Sequence, residues 1–150
     1  DQDITTTAID GFSMFLGRYP LSSRADEVKS IMKELQERLV EKSYLSAKLY
    51  FDMKQYKAAV VALSNALKEF AETKYREEMM YLKLSSLFQY AENSQPNKQK
   101  ERYQATLDDY YSFMEEFPES SFTRDIKRIY QQTSKFLKID GTTQTVENIQ

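Results

Sequence analysis

Catalysis in this chain would have to run on carboxylates, because it contains no histidine and no cysteine. That removes Ser-His-Asp and Cys-His nucleophilic chemistry, the common zinc sites and any disulfide framework. The densest acidic group, Glu34, Glu37 and Glu41, shares one helical face and could in principle hold a metal or an acid/base pair. Its surroundings point to a plainer role. Glu34 with Arg38 and Lys33 with Glu37 stand at i,i+4, the spacing of ion pairs on a solvated helix. Helical di-iron sites also require Glu-x-x-His. We therefore expect no catalytic residue, no metal and no cofactor.

The aromatic residues offer a different chemistry. Eleven tyrosines and nine phenylalanines stand beside no tryptophan. Most must anchor helix packing, and the functional alternative is a concave groove whose tyrosine rings and hydroxyls grip an extended peptide. Tyr50, Phe51 and Tyr56 straddle a helix turn and are the best candidates for partial exposure. Charge offers a third possibility. Arg124, Lys127, Arg128, Lys135 and Lys138 set a basic stripe on the last helix, while Asp108, Asp109, Glu115, Glu116 and Glu119 precede it. Pairing between the two sets is the ordinary expectation. The alternative is a basic ridge against an acidic partner or anionic lipid headgroups. A formal net charge of -2 argues against nucleic acid as the main partner.

The elements that must position these residues are punctuated by one mark written three times: Tyr19-Pro20-Leu21-Ser22, Phe70-Ala71-Glu72-Thr73 and Phe117-Pro118-Glu119-Ser120. Proline ends a helix at the residue before it, and a Ser or Thr hydroxyl accepts an orphan N–H where the next helix begins. Aligning the marks brings whole columns into register. Upstream these include Ala8/Ala59/Thr106, Phe12/Leu63/Tyr110 and Leu16/Leu67/Met114; downstream they are Val28/Met79/Ile126 and Ile31/Leu82/Ile129. A repeated helix–turn–helix unit is the signature of a helical solenoid. The marks fall about 50 residues apart, longer than the ~34-residue tetratricopeptide (TPR) unit.

The expected fold is all-α, a TPR-like solenoid of about six antiparallel helices with elongated repeats. One domain spans 1–139: a helix over 3–18, helix–turn–helix units over 22–70 and 73–117, and a final helix over 120–138. A flexible polar tail follows over 140–150. Ser23-x-x-Asp26 resembles a capping box with Asp in place of Glu. No Gly or Pro interrupts Ala25 to Met53, so that stretch reads as one long helix with Val28, Ile31, Met32, Leu35, Leu39, Leu45, Leu49 and Met53 on its apolar stripe, the alternative being a break near Glu41 to Tyr44. The short Ala/Val-rich helix that follows should be the most buried segment, and Asn93 to Asn97 a polar loop. No stretch approaches the roughly 20 apolar residues of a membrane span. The opening Asp1-Gln2-Asp3 is not a signal peptide, so the chain is expected to be cytosolic or to have lost its targeting signal.

Tyr44-Leu45-Ser46-Ala47-Lys48-Leu49-Tyr50-Phe51, followed by Lys57-Ala58-Ala59-Val60-Val61-Ala62-Leu63 and Phe70, resembles the C-terminal half of the BamD family. These are TPR lipoproteins of the outer-membrane β-barrel assembly machinery. Phe15-Leu16-x-Arg18-Tyr19-Pro20 fits the preceding family helix, and the likeness covers roughly Ala8 to Ala91. The resemblance implies a non-enzymatic scaffold at the periplasmic face of the outer membrane that binds the POTRA region of a BamA-like protein and other subunits of the machinery. Its only membrane attachment would be an N-terminal lipid anchor absent from this chain, which would make the chain a C-terminal fragment. The resemblance also places the partner-binding residues at Tyr50, Asp52, Met53, Lys54, Gln55, Tyr56 and Lys57, with Met53 standing where the family carries arginine. The helix pair from Lys98 to Lys138 would match the longer form of Bacteroidetes-type relatives.

Two other readings remain. A different periplasmic TPR adaptor would bind a peptide tail and ignore POTRA domains. A SusD-type glycan-binding lipoprotein would also use TPR helices, but sugar platforms favour tryptophan and this chain has none.

Overall fold

The computed structural model describes residues 2–138, so the tail expected over 140–150 lies outside the described residues. Six helices follow one another: α1 (Gln2–Arg18), α2 (Ala25–Asp52), α3 (Tyr56–Glu69), α4 (Arg76–Glu92), α5 (Pro96–Glu116) and α6 (Thr123–Leu137). Among the described residues there is no strand. The chain is an all-α, TPR-like helical repeat. The uninterrupted stretch does form one long helix, the 28 residues of α2. Pro96 is not in the loop expected around it. It opens α5 at the first helical position, where its missing N–H costs nothing.

Each of the three marks folds the same way. The aromatic N–H closes the outgoing helix on the carbonyl four residues back: Tyr19 on Phe15, Phe70 on Ala66 and Phe117 on Phe113. The hydroxyl then accepts the N–H two residues on, Arg24 to Ser22 and Tyr75 to Thr73 at 3.2 Å, and Phe122 to Ser120 at 3.1 Å. The carbonyl of that same residue accepts the first helical N–H, from Ala25, Arg76 and Thr123 respectively. The hydroxyl thus makes a tight turn ahead of the helix rather than bonding inside its first turn. Ser22 supplies it at the first mark, in place of the capping box expected from Ser23.

The described residues divide into two compact units, with the boundary between Ser46 and Ala47 inside α2. In the first, α1 buries no residue completely, and Ser13 on α1 approaches Met32 on α2, Oγ to Sδ, at 3.4 Å. The repeat columns are filled unequally. Leu63, Met79 and Ile126 have no exposed surface and Ile129 has 1%, whereas Ile31, in the same column as Ile129, is 38% exposed. On α2 the buried residues are Ala25, Tyr44 and Ala47, while Leu45 and Leu49 of the expected stripe stay open to solvent. A shift of one residue rotates a helical position by about 100°, enough to turn the leucines outward.

In the second unit α4 packs against α3, α5 and α6. It is the most buried helix, with Met79, Met80, Leu82, Leu84, Ser85, Ser86, Phe88 and Ala91 all inside. That corrects the expectation for α3, which buries Ala59, Leu63 and Ala66 and leaves Val61 exposed. Small residues permit close approach, but burial depends on how many neighbours a helix has. The core runs through Phe88, Tyr103, Phe113, Ile126 and Ile129.

Candidate functional site

The residues singled out from the sequence converge on the turn from α2 to α3. The last helical carbonyls of α2 are closed by two crossed bonds, Gln55 N–H to Tyr50 O and Lys54 N–H to Phe51 O, both 2.9 Å. This is a Schellman arrangement, and its pivot is Lys54 in the left-handed region at φ 58. Glycine ordinarily takes that position, because a Cβ there meets the following carbonyl. The chain instead carries a long cationic side chain on a left-handed turn.

Beside the turn lies an open groove of about 800 Å³, lined by Tyr50, Lys54, Gln55, Tyr56 and Lys57 from the turn and by Val61, Asn65, Tyr90 and Asn93 from α3 and the end of α4. Ala58 and Ala62 form part of its wall, so a partner backbone meets methyl groups rather than bulky side chains. Tyr56 is held edge-on by Phe51, with ring centroids 5.9 Å apart. Tyr90 is covered by the guanidinium of Arg102 at 4.0 Å, which fixes one wall of the groove. Its charged lining residues are Lys54 and Lys57.

Five of the seven expected site residues therefore share one cavity. Asp52 and Met53 do not line it; both lie exposed on the turn, Met53 with 49% of its surface open. Sequence reasoning did not single out Val61, Asn65, Tyr90 or Asn93 as site residues. A valine on the solvent side of a short helix and two asparagines give no periodic signal, and only the packing of α3 on α4 brings Tyr90 to Tyr56. The arrangement is suited to contact rather than to bond making: rings, amides and two ammonium groups around a shallow apolar floor. Among the described residues no three His, Cys, Asp or Glu side chains come together to hold a metal ion, and no helix is long and apolar enough to cross a membrane.

The basic stripe does not pair with the acids of α5. Glu116 bonds to Arg76 and Asp109 to Lys83, both on α4. Among the described residues only Arg128 of the stripe is engaged by a polar side chain, by Asp125 one turn before it and by Gln132 one turn after. The ordinary expectation for these charges is thus corrected: α5 turns Asp109 and Glu116 toward α4, the helix it packs on most extensively.

Residues 1–83 match the model of the YfiO family, described as outer membrane lipoprotein. No curated protein matches the chain. The matched stretch takes in the turn at Asp52 to Lys57 and all of α3 and ends inside α4, so α5 and α6 lie beyond it.

Proposed function

The chain belongs to the YfiO family of outer membrane lipoproteins, and on that premise we propose that it is a non-enzymatic scaffold of the outer-membrane β-barrel assembly machinery. Its α2–α3 turn contacts a POTRA domain of a BamA-like protein at the periplasmic face of the membrane. The observation that carries this reading is the turn itself. Lys54 occupies a left-handed position that glycine would hold at lower cost, and it stands at the mouth of a groove lined by Tyr50, Gln55, Tyr56 and Lys57. A side chain kept at a conformational cost marks a position where the side chain is used. Tyrosines supply rigid area and a hydroxyl, as in the anchors of many interfaces. Asp52 and Met53, on the exposed side of the turn, form the rim of the same contact. The region beyond the family match, α5 and α6, fits the longer form expected of Bacteroidetes-type relatives.

The test is a titration of the 150-residue chain against the membrane-proximal POTRA domains of a BamA-like protein from the same organism. The D52K/K54D charge swap is the discriminating variant. Asp52 ends α2, where a cation suits the helix dipole better than an anion, and Asp tolerates the left-handed region at position 54. The swap should therefore leave helicity intact while weakening binding at least about tenfold, the scale of one disrupted charged contact. Unchanged affinity would sink the proposed interface. Folded chain with no POTRA affinity, but with a peptide tail bound in the groove, would favour the adaptor reading.

A further inference from the structure

The outer face of α6 carries a basic ridge that the contact at the α2–α3 turn does not use. Arg124, Lys127, Gln131 and Lys135 are all exposed. At 3.6 residues per turn they fall within roughly 80° of the helix circumference. That arc is centred opposite the buried residues Ile126, Ile129 and Thr133. Lys138, the left-handed C-cap, continues the line, so the ridge runs for about 20 Å. Its charge is not neutralised from within the described residues. Asp125 is the single acid of α6; it is turned inward, accepting from the Tyr81 hydroxyl at 2.7 Å and from Arg128 Nε at 2.8 Å. Of the acids of α5, Asp109 and Glu116 bond to α4, and Asp108 and Glu101 to Gln104 and Lys98 of α5 itself.

We infer that this ridge rests on an anionic lipid surface. Four cations with no carboxylate between them form a surface complementary to a negative partner, and two features favour lipid over protein. Protein interfaces are built around buried aromatic anchors and are depleted in lysine. Here three of the four cations are lysines, and the face between Arg124 and Lys135 holds no aromatic side chain. The two rings of α6 are turned away from it onto α5, Tyr130 stacking on Tyr110 at 4.4 Å and Phe136 on Tyr103 at 4.2 Å. A row of point charges without a ring among them suits a headgroup layer, where each lysine or arginine adds its own attraction. Membership of an outer membrane lipoprotein family puts such a surface within reach. With a net charge of -2 the chain as a whole is not drawn to anions, so the attraction is local, acting within the ~8 Å screening length.

The test is flotation of the 150-residue chain with phosphatidylcholine vesicles, with and without phosphatidylglycerol. The chain should float with the anionic vesicles alone and be released by salt. Binding should fall about fivefold for each cation removed, disappearing in R124Q/K127Q/K135Q/K138Q while the circular dichroism melt stays that of the parent. Should that variant fail to fold, the pairs R124Q/K127Q and K135Q/K138Q carry the same comparison. Equal flotation of parent and variants overturns the inference, and so does no flotation of the parent. Retention on immobilised polyglutamate without vesicle binding overturns it in favour of an acidic protein. None of these measurements involves a POTRA domain, so they stand apart from the test of the α2–α3 turn.

Discussion

Lys83 Nζ lies 2.6 Å from Asp109 Oδ1 across the seam between α4 and α5, and the pair is the middle rung of a ladder. Seven residues back along α4 and seven forward along α5, Arg76 meets Glu116. Seven residues the other way, the guanidinium of Arg102 covers the Tyr90 ring. A step of seven is close to two helical turns, so matched steps in opposite directions mean antiparallel packing with a constant register. The ladder fixes Tyr90 and hence the far wall of the groove.

The middle rung is held at a cost. Burial pushes the Asp109 carboxyl above its usual range even though the Lys83 ammonium pulls the other way. Lys83→Met should therefore destabilise the chain by about 2 kcal/mol, because it leaves the carboxylate enclosed without its counter-charge. K83M/D109L should return close to the parent, since apolar replacements of similar size remove both the attraction and the desolvation. A double-mutant cycle by urea denaturation reads both values. An additive double mutant would show that the two side chains are not coupled.

Opposite pH dependences are expected from the two carboxylates of this seam. The hydrogen bond from Arg76 holds Glu116 below its usual value, so its contribution is present above about pH 4.5 and is lost as the pH falls through the folded-state pKa. Asp109 is raised, so its contribution is present at low pH and is lost as the pH rises through its folded-state pKa. Between about pH 3 and 6 the stability of E116Q relative to the parent should fall with rising pH, and that of D109N should rise. Because Arg76 and Glu116 are 30% and 37% exposed, the E116Q change should stay below about 1 kcal/mol. Thermal melts across that range decide the signs.

Thr133 is buried, and its hydroxyl finds no partner in the structure. Thr133→Val keeps the shape and removes the unsatisfied group, so it should stabilise the chain by about 1 kcal/mol. A lowered melting temperature would mean that the hydroxyl is satisfied after all.

The hydroxyl at each mark closes a turn that starts a helix. Removing it by Thr73→Ala or Ser120→Ala should cost about 1 kcal/mol, as for other residues that satisfy N–H groups at a helix start. Thr73→Ser should restore most of the loss. Chemical denaturation of the three variants checks the ranking.

Lys54→Gly should stabilise the turn by about 0.5–1 kcal/mol by relieving the left-handed backbone. Under the proposed function the same variant should bind the POTRA domain less well. Higher stability with weaker binding would separate the two roles of this residue.

The marks were legible in the sequence because their chemistry is local. A proline or aromatic stop and a hydroxyl two or three residues before the next helix act through bonds spanning two to four residues, so the six helices and the length of α2 follow from the chain itself. The α2–α3 turn was legible for a similar reason, since Tyr50 to Lys57 fall between two periodic segments. Other features depended on neighbours distant in the chain. Leu45 and Leu49 have the spacing of a core stripe, yet Tyr44 and Ala47 are the buried residues, because a helical pattern leaves open which side finds a partner. The Ala/Val composition of α3 suggested the deepest helix, but α4 is enclosed by three others. Asp109 and Glu116 could have met the cations of α6; the register of α5 on α4 sends them to Lys83 and Arg76 and leaves the α6 ridge open. The sequence by itself determined where helices start and stop, since those choices are settled within a turn of backbone. Only the tertiary structure decided burial, charge pairing and the groove, because each depends on residues that packing brings together from separate helices.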